Sequence, residues 1–238
     1  MKRVNVIVAA VILISSGCSK KSGIESALQP KASGSQISEV SGGKQITSVG
    51  SELPQPVVVQ VNDDKGTAVA GALVSFHGDG TQFRPAQALT DSSGQVTATV
   101  RLGFAPGDYE MVAETPKTGG GATTLKLRQT ALGYEQTLGK QVNDGYCIRC
   151  HDPESTTERV SNFENLTPSP HAFTDGAFFN SWSDADLIMI IAEGGTAVKK
   201  SPAQPAFGKT LTPRQIKAVV AYMRAVADLP YQPPGVKK

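Results

Sequence analysis

Residues 147–151 read Cys-Ile-Arg-Cys-His. This cluster constrains the fold more than any other feature of the chain. Two thiols three positions apart, with an imidazole directly after the second, is the spacing at which c-type haem is attached. The thiols add to the two vinyl groups of the ring, and the intervening residues set their separation. The adjacent His151 then directs its imidazole at the iron. The surrounding chain must therefore wrap a flat, apolar ring. Other uses of the motif need other surroundings. A zinc knuckle wants a second pair of ligands, and of three His and three Cys only His77, His171 and Cys18 lie outside the motif. A thioredoxin-like dithiol wants a βαβ context, which is absent. The motif occurs once, so the expectation is one covalent haem c held by Cys147 and Cys150, with His151 as an axial iron ligand.

The residues around the motif have a helical period. Tyr134, Leu138 and Val142 recur at i, i+4 and i+8 just before it. Ser183, with Asp186 three places on, predicts a helix start, and Gly194-Gly195 a stop. Thr212-Pro213 with Gln215 predicts a second capped start. Ile216, Val219, Val220, Met223 and Val226 form its apolar stripe. At least three helices joined by long loops follow, with a protein core that is thin for about a hundred residues unless a buried porphyrin adds apolar mass.

Further stretches of residues 133–230 are similar to a class I cytochrome c. They are Asn165-Leu166-Thr167-Pro168, Phe173-Thr174-Asp175-Gly176, Asp184-Ala185-Asp186-Leu187, Glu193-Gly194-Gly195, Pro205-Ala206-Phe207-Gly208, Leu211-Thr212 and Ala221-Tyr222-Met223-Arg224. The resemblance implies an all-α fold wrapped round the haem, its first and last helices crossing with Gly139 and Tyr222 as partners. It also implies electron transfer between redox partner proteins. One position departs from the family. The sixth iron ligand there is usually a Met before the Pro of the Pro-x-Phe-Gly stretch, and here that residue is Gln204. Several occupants of the sixth position remain: Gln204 itself, weakly ligating or leaving the iron five-coordinate; His171 as a second imidazole; or a displaced Lys199, Lys200 or Met. Met189 and Met223 read as core residues. An open or weakly held position carries a second functional reading, a haem enzyme or a protein binding peroxide or a gas.

Residues 37–132 have a different texture. Val57, Val59 and Val61 alternate with Val58, Gln60 and Asn62. Leu73 to Phe76, Val96 to Val100, Tyr109 to Ala113 and Thr123 to Leu127 are further short strand-like runs. Turn signals separate them: Asp63-Asp64-Lys65-Gly66, Gly78-Asp79-Gly80, Asp91-Ser92-Ser93-Gly94 and Ala105-Pro106-Gly107. Such spacing predicts an antiparallel, all-β sandwich. The order from Gly50-Ser51-Glu52-Leu53-Pro54 through Val69-Ala70-Gly71-Ala72 to Thr90-Asp91-Ser92-Ser93-Gly94 resembles the bacterial immunoglobulin-like domain of invasin and intimin. The resemblance implies a spacer or an adhesion and docking module. No acid–base or nucleophile cluster is visible in it, and His77 reads as a loop residue. The fold class is thus multidomain, an Ig-like sandwich followed by an all-α cytochrome c fold.

The first residues read as an export signal. Lys2 and Arg3 precede an apolar run from Val4 to Ile14, too short for a comfortable membrane span. Ile14-Ser15-Ser16-Gly17-Cys18 resembles a bacterial lipobox, which implies cleavage after residue 17, lipid on Cys18 and membrane attachment. Ser19 after it, by resemblance to Gram-negative lipoproteins, points to the outer membrane. Residues 18–36 read as a flexible tether and 231–238 as a short tail. The chain holds 23 basic and 21 acidic residues, and losing Lys2 and Arg3 leaves it near neutral. That balance gives no basic face for nucleic acid.

Overall fold

The computed structural model describes residues 29–117, 119–156 and 159–232. The export signal, Cys18 and most of the tether and tail lie outside the described residues. The chain builds a sandwich of β-strands and then a helical unit. The strands are β1 (Gln36–Ser41), β2 (Ile46–Ser48), β3 (Val57–Asn62), β4 (Leu73–His77), β5 (Gln82–Arg84), β6 (Gln87–Leu89), β7 (Gln95–Arg101), β8 (Gly107–Pro116) and β9 (Ala122–Leu132). One sheet has the order β1-β3-β7-β5 and the other β2-β9-β8-β4-β6. Alternation drives the packing. Val57, Val59 and Val61 of β3 are fully buried, facing Val74, Met111 and Ala113 in one core. The period of two reaches this result because successive side chains leave opposite faces of a strand.

Among the named strands the pairing departs from an all-antiparallel expectation at one place, and the bridges Ala32–Ala72 and Gly34–Lys117 are parallel as well. β2 runs parallel to β9, with Ile46 opposite Thr130. The chain crosses from one sheet to the other between β1 and β2. Gly42 turns that corner with φ +91°, where a Cβ would press on Val57 Cα at 2.7 Å. Gln129, fully buried, fixes the crossing. Its Oε1 accepts from Gln45 N at 2.6 Å, and its Nε2 donates to the Gly42 carbonyl at 2.9 Å. Asp63 and Asp91 build matching loops. Each Oδ1 accepts two backbone N–H groups, from Lys65 and Thr67 and from Ser93 and Gln95. His77 ends β4 as an exposed strand residue rather than lying in a loop.

The helical unit begins one residue after β9. It comprises α1 (Tyr134–Val142), α2 (Ile148–His151), α3 (Gly176–Phe179), α4 (Asp184–Glu193) and α5 (Pro213–Val226). Gly133 is the whole connection. Its N–H donates to Gln136 Oε1 at 2.7 Å, and the Ser48 and Thr137 hydroxyls meet at 3.1 Å across the junction. Ser183 and Thr212 cap α4 and α5 by accepting from Asp186 N and Gln215 N, as their positions predict. α1 crosses α5 where Gly139 lies against the Ala218 carbonyl and Tyr222 Cβ. A Cβ at Gly139 would collide with that carbonyl. Gly139→Ala is expected to cost about 1–3 kcal/mol by overpacking, read as a lower melting temperature of the helical unit alone. An unchanged melt would show that the helices separate freely. Two apolar positions differ from the sequence expectation. Tyr134 is exposed, its ring covered on one side by the Arg214 guanidinium at 5.3 Å. Met189 is 41% exposed on the outer face of α4 rather than in the core.

Candidate functional site

The site forms where α1 widens. Asn143–Cys147 is a single π-helical turn, and α2 continues from it. Such turns insert an extra residue into a helix and are frequent at functional sites. Here the turn buries Cys147 while leaving Tyr146 half-exposed. Cys147 and Cys150 are both free thiols. Burial, with Cys150 and Asp144 nearby, pushes the Cys147 thiol up to about 12, so it stays protonated at neutral pH. The loop after the motif is tied back to it. Arg159 donates to Asp152 Oδ2 at 2.9 Å and to the Ile148 carbonyl at 3.3 Å.

His151 is held from behind. Its Nδ1 lies 2.7 Å from the His171 carbonyl oxygen, which can only accept, so Nδ1 carries the proton. In the neutral ring that leaves the Nε2 lone pair free. Nε2 faces Gln204, whose Oε1 stands 3.4 Å away. The Phe173 ring packs on the imidazole at 4.8 Å. Together these groups border a cavity of about 340 Å³ that α4, α5 and the 201–207 loop complete. Its walls include Leu187, Ile190, Ile191, Phe207, Val219 and Met223, and among the described residues no Asp or Glu lines it.

The other sequence-predicted candidates fall in distinct places. The His171 imidazole stacks on Phe178 at 3.5 Å and donates from Nδ1 to Asp175 Oδ2 at 2.9 Å. That bond, together with the Phe178 N–H, holds the Asp175 carboxyl below the usual carboxylate range. The His171 carbonyl thus sits behind His151 at Nδ1, and His171 also lines the cavity. Lys199 is exposed and takes a left-handed backbone conformation, and Lys200 Nζ sits 5.5 Å over the Trp182 ring. Met223 is buried and lines the cavity.

Two features escaped the sequence reading. Gly194-Gly195, read only as a helix stop, also seats the Gln204 loop, because Gly195 N donates to the Gln204 carbonyl at 3.0 Å. Arg224 proves to be a clamp. It donates to the Phe179 and Trp182 carbonyls at 2.6 and 2.7 Å and to Asp184 Oδ1 at 2.8 Å. The i, i+3 pattern cannot show either, since the first spans nine residues through a loop and the second forty or more.

The donor set fits a metal-bearing apolar ring. Two thiols and an oriented imidazole share one wall, and the remaining walls are hydrocarbon and aromatic. It does not fit a zinc cage: among the described residues no three His, Cys, Asp or Glu side chains converge. The family comparison agrees. Residues 135–223 match the family model described as cytochrome C oxidase, cbb3-type, subunit III.

Residues 135–223 match a cytochrome c domain.

A cytochrome c domain implies covalently bound haem c and points to electron transfer. No curated protein matches the chain in sequence. Among solved structures, the chain is similar to the D0-D1 domain of intimin, with 18% identity over 42% of this chain and 49% of that one, at TM-score 0.30. The S-layer protein SbsC domains 4 and 5 give 13% identity over 41% and 51%, at TM-score 0.31. The Yersinia pseudotuberculosis adhesin InvE gives 10% identity over 40% and 31%, at TM-score 0.27. The chain thus spans about half the length, or less, of these structures. The description of residues 36–132 as an immunoglobulin-like sandwich rests on their own strand pairing.

Proposed function

We propose that this chain is an envelope-anchored, mono-haem c-type cytochrome that passes electrons between redox partner proteins. Cys147 and Cys150 hold the ring, and His151 Nε2 binds the iron. Each thioether forms by adding S–H across a vinyl double bond, sulfur to one carbon and hydrogen to the other. The bound ring supplies the redox couple. The observation that carries this reading is the orientation of His151: its Nδ1–H is fixed on the His171 carbonyl, and its Nε2 points into an apolar cavity beside both thiols. A second-layer bond of this kind sets the tautomer and the direction of a metal-binding imidazole.

Gln204 occupies the opposite side. Its Oε1 faces Nε2, whereas the His171 carbonyl sits behind the ring at Nδ1, which favours Gln204 over His171 at the sixth position. Thioether ligation raises a haem potential, so a potential below that of His/Met cytochromes is expected. The oxidised protein should lack the methionine-to-iron charge-transfer band near the red end of the spectrum, and Gln204→Met should create it. The band in the unaltered protein would overturn the assignment of Gln204.

The sandwich suits a spacer. Lys31 and Ser35 run beside Gly71, Asn62 and Thr123, at the end of the sandwich opposite Leu132, where the chain leaves for α1. Between those ends β9 alone spans about 37 Å, at roughly 3.4 Å per residue. With lipid on Cys18 in an outer-membrane leaflet, the strut carries the haem away from its anchor. Haemochrome analysis and mass spectrometry of the exported protein test both modifications. One haem and one lipidated Cys18 are expected; a protein with neither is a different molecule.

A further inference from the structure

The residue opposite His151 is held by a loop with unusual seating. Gln204 Oε1 lies 3.4 Å from Nε2, long for a hydrogen bond, and its amide nitrogen is 3.3 Å from its own neighbour's carbonyl on Pro205. The side chain is weakly gripped. The backbone is gripped well. Gly195 N donates to the Gln204 carbonyl at 3.0 Å, and Lys200 N donates to the Gly195 carbonyl at 2.8 Å. Gly195 has no room for a side chain, since a Cβ there would collide with the Ser201 carbonyl and sit 3.2 Å from Gln204 Cβ. Charge is equally lopsided. From Gly194 to Ala227 the chain carries Lys199, Lys200, Lys209, Arg214, Lys217 and Arg224 and no acidic residue, although Arg214 pairs with Glu135 and Arg224 with Asp184. Lys200 reaches the cavity wall, which among the described residues holds no Asp or Glu.

We infer that the sixth position is a gated site for a small monodentate anion, with Gln204 as the gate and Gly195 as the residue that seats it. The inference rests on the reading that His151 and Gln204 face opposite sides of the iron. A neutral carboxamide oxygen is a poor ligand, and it competes with anything that enters. An anion entering past Lys200 meets its ammonium group first. Gly195 controls the competition because it fixes how closely the 201–204 loop approaches, and it does so without touching the ligand.

Azide is the probe, added to the oxidised, haem-loaded full chain and followed by the optical and magnetic spectra. Gln204→Ala is expected to bind azide about tenfold more tightly, because removing the internal competitor raises the competent fraction. Gly195→Ala is expected to shift affinity the same way with Gln204 chemically intact. Lys200→Gln is expected to slow azide association about threefold at low salt. It should leave carbon monoxide binding to the reduced protein unchanged, because that ligand carries no charge. Haem content and helical circular dichroism check each variant. Equal azide affinity for the unaltered protein and Gln204→Ala overturns the gate, whatever Gly195→Ala does. Loss of all haem from the unaltered protein would instead remove the reading of His151 beneath it.

Discussion

A Cys147→Ser, Cys150→Ser variant is expected to keep a folded sandwich and lose a cooperative helical unit. Without thioethers the ring is no longer tethered, and the cavity of about 340 Å³ must be filled some other way. Left open to water, it exposes the apolar side chains that the ring would cover, including Leu187, Ile191, Phe207 and Val219. A domain of this kind has about 5–15 kcal/mol in total. The helical residues therefore loosen or collapse onto the cavity. Trp182, the chain's single tryptophan, lines that cavity and reports the change. Its near-ultraviolet circular dichroism should vanish while most far-ultraviolet helical signal remains. The sandwich has its own core, centred on Val57, Val59, Val61, Val74 and Val100, and should melt as before. A sharp helical transition without haem would show that the protein core suffices by itself.

Arg224→Ala is expected to be the most damaging single change outside the motif. The guanidinium is nearly buried, at 9% side-chain exposure. It bonds the carbonyls at the end of α3 and before α4, the Asp184 carboxylate, and stacks on Tyr231 at 3.9 Å. Truncation leaves the Trp182 carbonyl without its guanidinium partner, the Phe179 carbonyl with only the Trp182 N–H at 3.2 Å, and Asp184 uncompensated. About 3 kcal/mol is the expected loss, since hydrogen bonds to charged groups contribute about 1.5–3 kcal/mol each and are not additive. The melting temperature of the helical unit should fall by more than about 10 °C. Arg224→Lys should recover only part of this, because an ammonium cannot reproduce the planar fork that reaches three partners. A loss under about 1 kcal/mol for Arg224→Ala would mean the α3–α4 turn holds without the clamp.

Local chemistry explains what could be read in advance. The period of two in Val57–Val61 and the capping pairs Ser183/Asp186 and Thr212/Gln215 are short-range patterns, and the structure realises them. The strands that escaped notice are edges or short pieces. β1 is exposed almost throughout, and β5 and β6 have three residues each. An edge strand pairs through its backbone without burying alternate side chains, so it leaves no apolar rhythm in the sequence. Met189 failed for a related reason. Helical spacing says which residues share a face, but not which face meets the core.

The five residues Cys147 to His151 by themselves carried the expectation of covalent haem, because a covalent attachment site needs fixed atoms at fixed spacing and nothing from afar. The sequence also determined that the usual thioether before Pro205 is a carboxamide. Only the tertiary structure decided what faces what. It put the His171 carbonyl behind His151 and Gln204 in front, and it turned a Gly-Gly helix stop into the seat of the Gln204 loop. The two contacts of His151 join residues 20 and 53 positions apart. They arise from packing three helices and two loops around one cavity, which no local pattern encodes.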